Sequence, residues 1–280
     1  MFARRARRTY ANTAFIAACT LATTIALVIL VAILASLIVN GAGGLNLHVF
    51  TMDTPAPGSE GGLRNAIVGS LILCLYAMIG AVVVGVLAGT WLSEYARDSA
   101  YGKLVRFVND VLLSAPSILV GLFIYYIAVR PVHGFSGYAG ALALALLAAP
   151  VVTRTTEDVL KLQSRQLRES GVALGTPFWT TIQQILWRAA GGGILTGILL
   201  AFARISGETA PLLFTSLNNQ FFEWNMSKPI ANLPVVIFNY ALSAYDDWRR
   251  LAWVGSLLIA FAVLGINILV RTLSREKRNP

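Results

Sequence analysis

From Thr13 to Val39 no charged side chain interrupts a run of Ala, Leu, Ile and Val. A helix needs about 20 mostly apolar residues to cross the hydrocarbon core of a bilayer, and this run exceeds that. Five further apolar stretches follow: Asn65 to Leu92, Leu104 to Val129, Ser136 to Val152, Ala189 to Leu217 and Leu251 to Leu273. Lipid offers no hydrogen-bond partners, so segments of this length satisfy their backbone internally as helices. The expectation is an all-α polytopic membrane protein with six spans. Composition excludes the soluble alternative, because 56 % of the 280 residues are hydrophobic and only 12 % charged. A water-soluble globular chain carries roughly 25 % charge.

The start of the chain, Met1 to Arg8, is basic and precedes an apolar run, as in a secretory signal. The run is far longer than the 7–15 residues of a signal core, roughly, and no small-x-small site follows it, so it is expected to be retained. The 22 Lys and Arg residues are placed unevenly. Arg4, Arg5, Arg7 and Arg8 precede the first span; Arg97, Lys103 and Arg106 lie between the second and third. Arg154, Lys161, Arg165, Arg168 and Arg188 lie between the fourth and fifth, and Arg271, Arg275, Lys277 and Arg278 end the chain. The opposite side holds only Arg64, Arg130, Lys228, Arg249 and Arg250. By the positive-inside rule both termini are cytoplasmic, and the net charge of +9 reports topology, not nucleic-acid binding.

No polar linker divides the chain. Residues 1–63 form a cytoplasmic tail, the first span and an outer loop; residues 64–280 hold the other five spans and a short cytoplasmic tail. The inner connection, about 153–188, is basic and rich in helix formers. The outer connection, Asn218 to Arg250, holds Phe221, Phe222, Trp224 and Trp248, residues suited to the membrane interface, and Ile237 to Trp248 is expected as an amphipathic helix on that leaflet.

Motifs for chemistry are missing. Gly102-Lys103 is followed by Leu, so no P-loop is present. His48 and His133 stand apart and make no metal site, and Cys19 and Cys74 lie within apolar runs, with no disulfide framework implied. Neither a His-Glu-x-x-His nor a Gly-x-Ser-x-Gly sequence occurs.

The fifth span carries two opposite charges deep in its length: Arg204 and, four residues later, Glu208. Arg204 lies about 20 Å into the span at 1.5 Å per residue, too deep to reach the cytoplasmic surface easily. Glu208, four residues later, is expected on the same helix face, with Gly193, Gly197 and Ala201 continuing that face towards the cytoplasm as a small-residue stripe. Pro211 cannot donate to the Gly207 carbonyl, so Gly207 and Pro211 mark a helix break. A structural pair that pins helix packing would explain two opposite charges. The alternative, favoured because intramembrane charge is costly, is an anion pathway: Arg204 offers a fork of donors, and Glu208 holds it until the anion arrives. Asp110, beside Asn109 in the third span, is expected to be bonded to backbone or water near the cytoplasmic end.

In the inner loop, Leu167, Val172 and Leu174 supply apolar anchors of a short helix, Gly175 stops it, and Pro177 starts the next turn. Glu169, Ser170, Gly171 and Gly175 resemble the Glu-Ala-Ala-x3-Gly loop of ABC importer permeases, with Ser and Gly in place of the two alanines. Of the family's later Ile-x-Leu-Pro, only Ile185 survives. The stretch from Ala203 to Thr215 (Ala-Arg-Ile-Ser-Gly-Glu-Thr-Ala-Pro-Leu-Leu-Phe-Thr) resembles the membrane signature of phosphate-importer permeases of the PstA type. Gly61 to Ile67, Ala115 to Ile118 and Ile230 to Pro234 are similar as well.

That resemblance implies a type I ABC importer permease, MetI-like, in the cytoplasmic (inner) membrane. It implies a second homologous permease (PstC-type), a dimer of ATPase subunits (PstB-type) bearing ATP and Mg, and an extracytoplasmic phosphate-binding protein (PstS-type). The chain itself would bind no cofactor or nucleic acid, would contact lipid, and would catalyse no reaction. Arg204 and Glu208 are implied in phosphate passage, and Glu169 to Gly175 in contact with the ATPase. Sulfate or molybdate permeases share the fold, and a proton-coupled carrier would also use an intramembrane Arg–Glu pair. A membrane scaffold with a purely structural pair is the third alternative.

Overall fold

A computed structural model describes residues 2–96, 98–173 and 175–276. Arg97, Leu174, Lys277 and Arg278, used above for topology or as a loop anchor, lie outside the described residues. Within them the regular structure is helical, as lipid solvation requires.

The first apolar run forms α1 (Phe2–Ala42), whose outer flank meets the rest of the chain chiefly at α12 (Asp246–Glu276). A one-turn α2 (His48–Thr51) leads to α3 (Arg64–Trp91), which runs on through a π turn, Leu92–Ala96. After α4 (Ala100–Ser114) and α5 (Ser117–Ile124), the latter continued by a π turn, comes α6 (Gly137–Lys161). A short α7 (Arg165–Ala173) leads into α8 (Phe178–Thr181), a π turn and α9 (Trp187–Ile205), which together make one long helix. One turn, α10 (Ala210–Leu213), and α11 (Leu233–Ala241) precede α12.

The centre is the α3–α6 pair, flanked by α9. Small residues let these backbones approach. A Cβ on Gly89 would lie 2.6 Å from the Thr153 carbonyl oxygen, and one on Gly193 would lie 2.5 Å from Val159 Cγ1. Close approach of this kind replaces the hydrophobic driving force that lipid cannot supply. Leu73, Ala77, Leu144, Leu147, Val152, Ala201 and Ile205 fill the space between the three helices.

Among the described residues five helices are long and apolar enough to cross a bilayer, and the third expected span is broken. Its two halves, Ala100–Ser114 and Ser117–Val129, meet at 104°. Pro116 is the cause: it drives Ala115 out of the helical region, to φ −66° and ψ 135°. Counted as one element, the bent pair is the sixth span.

Other boundaries shift too. The fourth helix continues past Val152 to Lys161, and the fifth begins at Phe178, so much of the expected 153–188 connection belongs to the flanking helices. Residues 162–177 remain as the connection proper, with α7 inside it. At the other end, α11 starts at Leu233 and stops at Ala241, and buries Val235, Val236 and Tyr240 against α3 and α12. It is packed into the protein, whereas a surface-lying helix had been expected from Ile237 to Trp248. Asn232 caps it through Oδ1, which accepts from the Val235 N–H at 3.0 Å, and that cap sets its early start.

Candidate functional site

Helix α9 ends one residue after Arg204. Ser206 closes it, donating its N–H to the Phe202 carbonyl at 3.0 Å and its hydroxyl to the Ala203 carbonyl at 2.9 Å. Ser206 and Gly207 form a turn, closed by the Glu208 N–H on the Ile205 carbonyl at 3.2 Å. The chain restarts as α10, in which Pro211 occupies a first-turn position that needs no donor. The helix therefore stops before Glu208, and Arg204 and Glu208 do not share a helical face. Glycine's low helix propensity and proline's missing N–H act together, so the chain leaves the helix before the proline instead of kinking through it.

Arg204 is exposed and Glu208 half-buried, and among the described residues no ion pair joins them to each other or to another side chain. Gly193, Gly197 and Ala201 face α6, where Val159 and Thr155 fill the space a Cβ would take. Arg204 thus sits beside the packed stripe, on the flank this chain leaves open. The break lies against the N-terminal half of α3, since Phe202 and Ser206 line a cavity with Ser70 and Cys74, six and ten residues into that helix. The cavity measures about 290 Å³ and is apolar, and its lining residues do not include Arg204 or Glu208.

The segment beyond the break is tied down by its own polar groups. A Cβ on Gly121 of α5 would lie 2.6 Å from Pro211 Cα, so α5 and α10 touch backbone to backbone. Ser216 donates to the Ile230 carbonyl at 2.9 Å, and Asn232 Nδ2 donates to the Leu217 carbonyl at 3.1 Å. Asn65 Nδ2, at the start of α3, donates to the carbonyls of Asn219 and Gln220 at 2.9 and 3.1 Å. A hydrogen-bonded frame therefore carries a loop whose cation and anion have no ion-pair partner among the described residues.

At the opposite end lies α7. Glu169 and Ser170 are exposed on it, whereas Gly171 is buried against Thr181 and Ile185. A Cβ at Gly171 would lie 2.7 Å from Thr181 Oγ1 and collide with its methyl, which is why glycine stands where the related loops carry alanine. Leu167 is half-buried and packs with Leu160 and Ile182, whereas Val172, expected as a second anchor, is exposed. Gly175 takes φ +73°, the left-handed conformation that ends the helix, and its N–H bonds the Val172 carbonyl at 2.9 Å.

Sequence reasoning missed the buried charges beside α7. Arg168 donates through Nε and Nη2 to both oxygens of Glu94, at 2.8 Å each, and Glu94's side chain is 0 % exposed. Those bonds hold the Arg168 guanidinium above its usual pKa. Glu157, 2 % exposed, receives Arg106 Nε at 2.6 Å and Lys161 Nζ at 2.5 Å. Arg106 Nη2 also donates to the Leu92 carbonyl at 2.8 Å. In the sequence, Arg106, Lys161 and Arg168 registered only as topology charges. The available signal was Glu94, a lone carboxylate at the end of a long apolar helix; Glu157 stands among Arg154, Asp158 and Lys161 and gave none. Asp110 is exposed with its carboxylate 3.6 Å from Arg154, and it is neighbouring Asn109 that is buried, with Nδ2 3.4 Å from the Pro150 carbonyl. Among the described residues no His, Cys, Asp or Glu cluster could hold a metal ion.

The geometry is thus that of a multi-helix membrane body with a short exposed helix at one end and a charged helix break towards the other. Residues 81–278 match the family of binding-protein-dependent transport system inner membrane components. A phosphate transport system permease protein PstA from Haemophilus influenzae is 53 % identical over 246 residues, covering 88 % of this chain and 87 % of that protein. Its counterpart from Yersinia pestis is also 53 % identical, over 89 % and 85 % of the two chains. The chain belongs to this permease family. The fold agrees: a chain of the MetNI methionine ABC transporter, in inward-facing conformations, superposes with TM-score 0.62 at 17 % identity, over 75 % of this chain and 94 % of that one. Members of this permease family are transmembrane components and not enzymes, and the fold is the MetI-like permease fold. A multi-pass helical architecture of this kind belongs in an inner membrane.

Proposed function

We propose that this chain is the permease subunit of an ATP-driven importer that carries inorganic phosphate across the cytoplasmic membrane. The observation that carries the reading is the 53 % identity, over 88 % of the chain, to a phosphate transport system permease. Both termini and α7 lie on the cytoplasmic side, in keeping with the basic inner connections. A second homologous permease (PstC-type) covers the open flank of α9, an ATPase dimer (PstB-type) carries ATP and Mg beneath α7, and a phosphate-binding protein (PstS-type) delivers cargo outside. Residues 1–63 act as a peripheral span and loop, and 64–280 as the transport core.

Arg204 is the cation offered to the passing anion. Its guanidinium presents a planar fork that matches two phosphate oxygens, and an exposed arginine in a span demands a partner surface or a water-filled path. Glu208 accepts a hydrogen bond that a protonated phosphate can donate and sulfate cannot. The break at Gly207 and Pro211 lets both side chains leave the helix packing. Glu169, Ser170, Gly171 and Gly175 form the helix that the ATPases move; their closure tilts the spans and turns the cavity outward, and reopening releases phosphate inward.

The test is uptake of radiolabelled phosphate by cells lacking the chain, with and without its restoration, against excess sulfate and with ATP depleted. Restored, sulfate-resistant, ATP-dependent uptake supports the reading. Unchanged uptake would remove phosphate as the cargo, and loss with an uncoupler but not with ATP depletion would point to a secondary carrier.

A further inference from the structure

Helix α7 is joined by the chain only to α6 and to α8. A force applied to it would reach α6 and α9 through the backbone, but α3, the central helix, has no covalent link to it. The structure supplies one through Arg168. Its guanidinium grips Glu94, 74 residues away in the chain, by two bonds of 2.8 Å. The same group donates to the Leu160 carbonyl at 2.7 Å and the Gln163 carbonyl at 2.6 Å, at the end of α6. Three elements thus meet on one planar, always-charged head group, which has a rigid fork suited to holding them in fixed relation.

The receiving end is built for the same purpose. Glu94 sits on the π turn Leu92–Ala96, where Ser93 Oγ donates to it at 2.8 Å. π turns within helices recur at functional sites, because the extra residue re-aims a side chain. Arg106 then grips the Leu92 carbonyl of the same turn and Glu157 of α6, and so brings in α4. Through the 104° bend α4 leads to α5, whose Gly121 lies on Pro211, just past the Arg204–Glu208 turn. Between the two arginines is a cavity of about 630 Å³, lined by Ser93, Arg106, Lys161, Arg168 and Glu169, so the joint is not packed solid.

We infer that Arg168 is a positioning residue for transport: through Glu94 it transmits displacement of α7 to the inner end of α3. From there Arg106 carries the displacement into α4 and α5, towards the substrate break. The inference rests on the proposed docking of α7 to the ATPase, and it adds the path by which that docking acts.

The test uses the complete importer in liposomes, with phosphate-loaded binding protein and ATP. It compares wild type with Arg168→Gln and Glu94→Gln, and reads co-purification of the ATPase, basal ATP hydrolysis and phosphate transported per ATP. The expected result is normal co-purification and basal hydrolysis with phosphate per ATP reduced about tenfold or more, since the lost bonds are charge-assisted. A contact that merely holds the fold would lower the amount of complex and leave the ratio unchanged. A wild-type ratio in either assembled variant would overturn the inference. Failure of both variants to assemble would also overturn it, because the contact would then only build the docking face. If the wild-type importer itself moves no phosphate, the function proposed above fails; Arg168 is still judged by the variants' loss of binding-protein-stimulated ATP hydrolysis.

Discussion

The two ends of the bundle treat charge in opposite ways. At the α7 end, Glu94 and Glu157 are almost fully buried, and each is met by cationic donors within 2.8 Å. At the α9–α10 break, Arg204 is exposed, Glu208 is half-buried, and no ion pair engages either among the described residues. Satisfied buried charge has nothing left to offer a ligand and serves to hold elements in register. Charge left open within a membrane body awaits something from outside the chain. The network at the α7 end is therefore read as a mechanical joint, and the pair at the break as the binding element proposed above.

The comparison can be broken by substitution. Glu157→Ala would leave the largely buried Arg106 without its carboxylate, whereas the exposed Lys161 turns to solvent, and we expect the largest loss of stability there, about 3 kcal/mol. Thermal unfolding of the purified complex in detergent would measure it, and an unchanged midpoint would contradict a structural role for the network at the α7 end. Arg204→Gln should leave that midpoint in place while lowering phosphate uptake by about 10–100-fold, the equivalent of a lost charge-assisted bond of about 1.5–3 kcal/mol. Uptake at the wild-type rate would return Arg204 to the role of a packing residue.

A smaller effect is expected at the docking helix. Gly171→Ala forces a methyl into the buried Thr181, which is stiff at χ1, and overpacking of this kind costs about 1–3 kcal/mol. Less ATPase should co-purify, and Thr181→Ala in the same chain should restore it; no recovery would mean that the collision is not the cause.

The least effect concerns pH in the outer loop. Lys228 Nζ lies 2.9 Å from Glu223 Oε2, and this hydrogen bond, with that from the Asn225 N–H, holds the Glu223 carboxylate below its usual value. A depressed folded pKa stabilises the loop above the unfolded value, and the contribution is lost as pH falls through the folded value. Lys228→Gln should slightly raise nicking of this loop at Phe221, Phe222 or Trp224 by chymotrypsin at neutral pH, with pepsin as the probe in acid. The difference from wild type should vanish in acid; a difference that persists there would assign the effect to something other than the ion pair.

Much of the fold was legible along the chain. Apolar runs long enough to span a bilayer appear as helices because lipid permits little else, and Gly175 and Pro177 ended and restarted the chain where their backbone preferences require. Arg204 stood out because a charge in a span is rare. What one-dimensional reading missed involved contacts between distant segments. The 104° angle at Pro116 is a case in point, since proline announces a break but neighbouring helices set its angle. Likewise the helix was expected to carry Arg204 and Glu208 on one face, and it ends before Glu208 because Gly207 and Pro211 together disfavour its continuation.

The sequence by itself determined the solvent, the helical class, the number of apolar segments and the side on which positive charge accumulates, because each depends on local hydrophobicity and on residue counts. Only the tertiary structure decided which charges are spent and which are free. Glu94 and Arg168 are 74 positions apart, and nothing in their neighbours along the chain announces that they meet. Pairing of that kind depends on how α3, α6 and α7 pack, and packing is settled by shape at close range, through glycines and small side chains whose partners lie far away in the sequence.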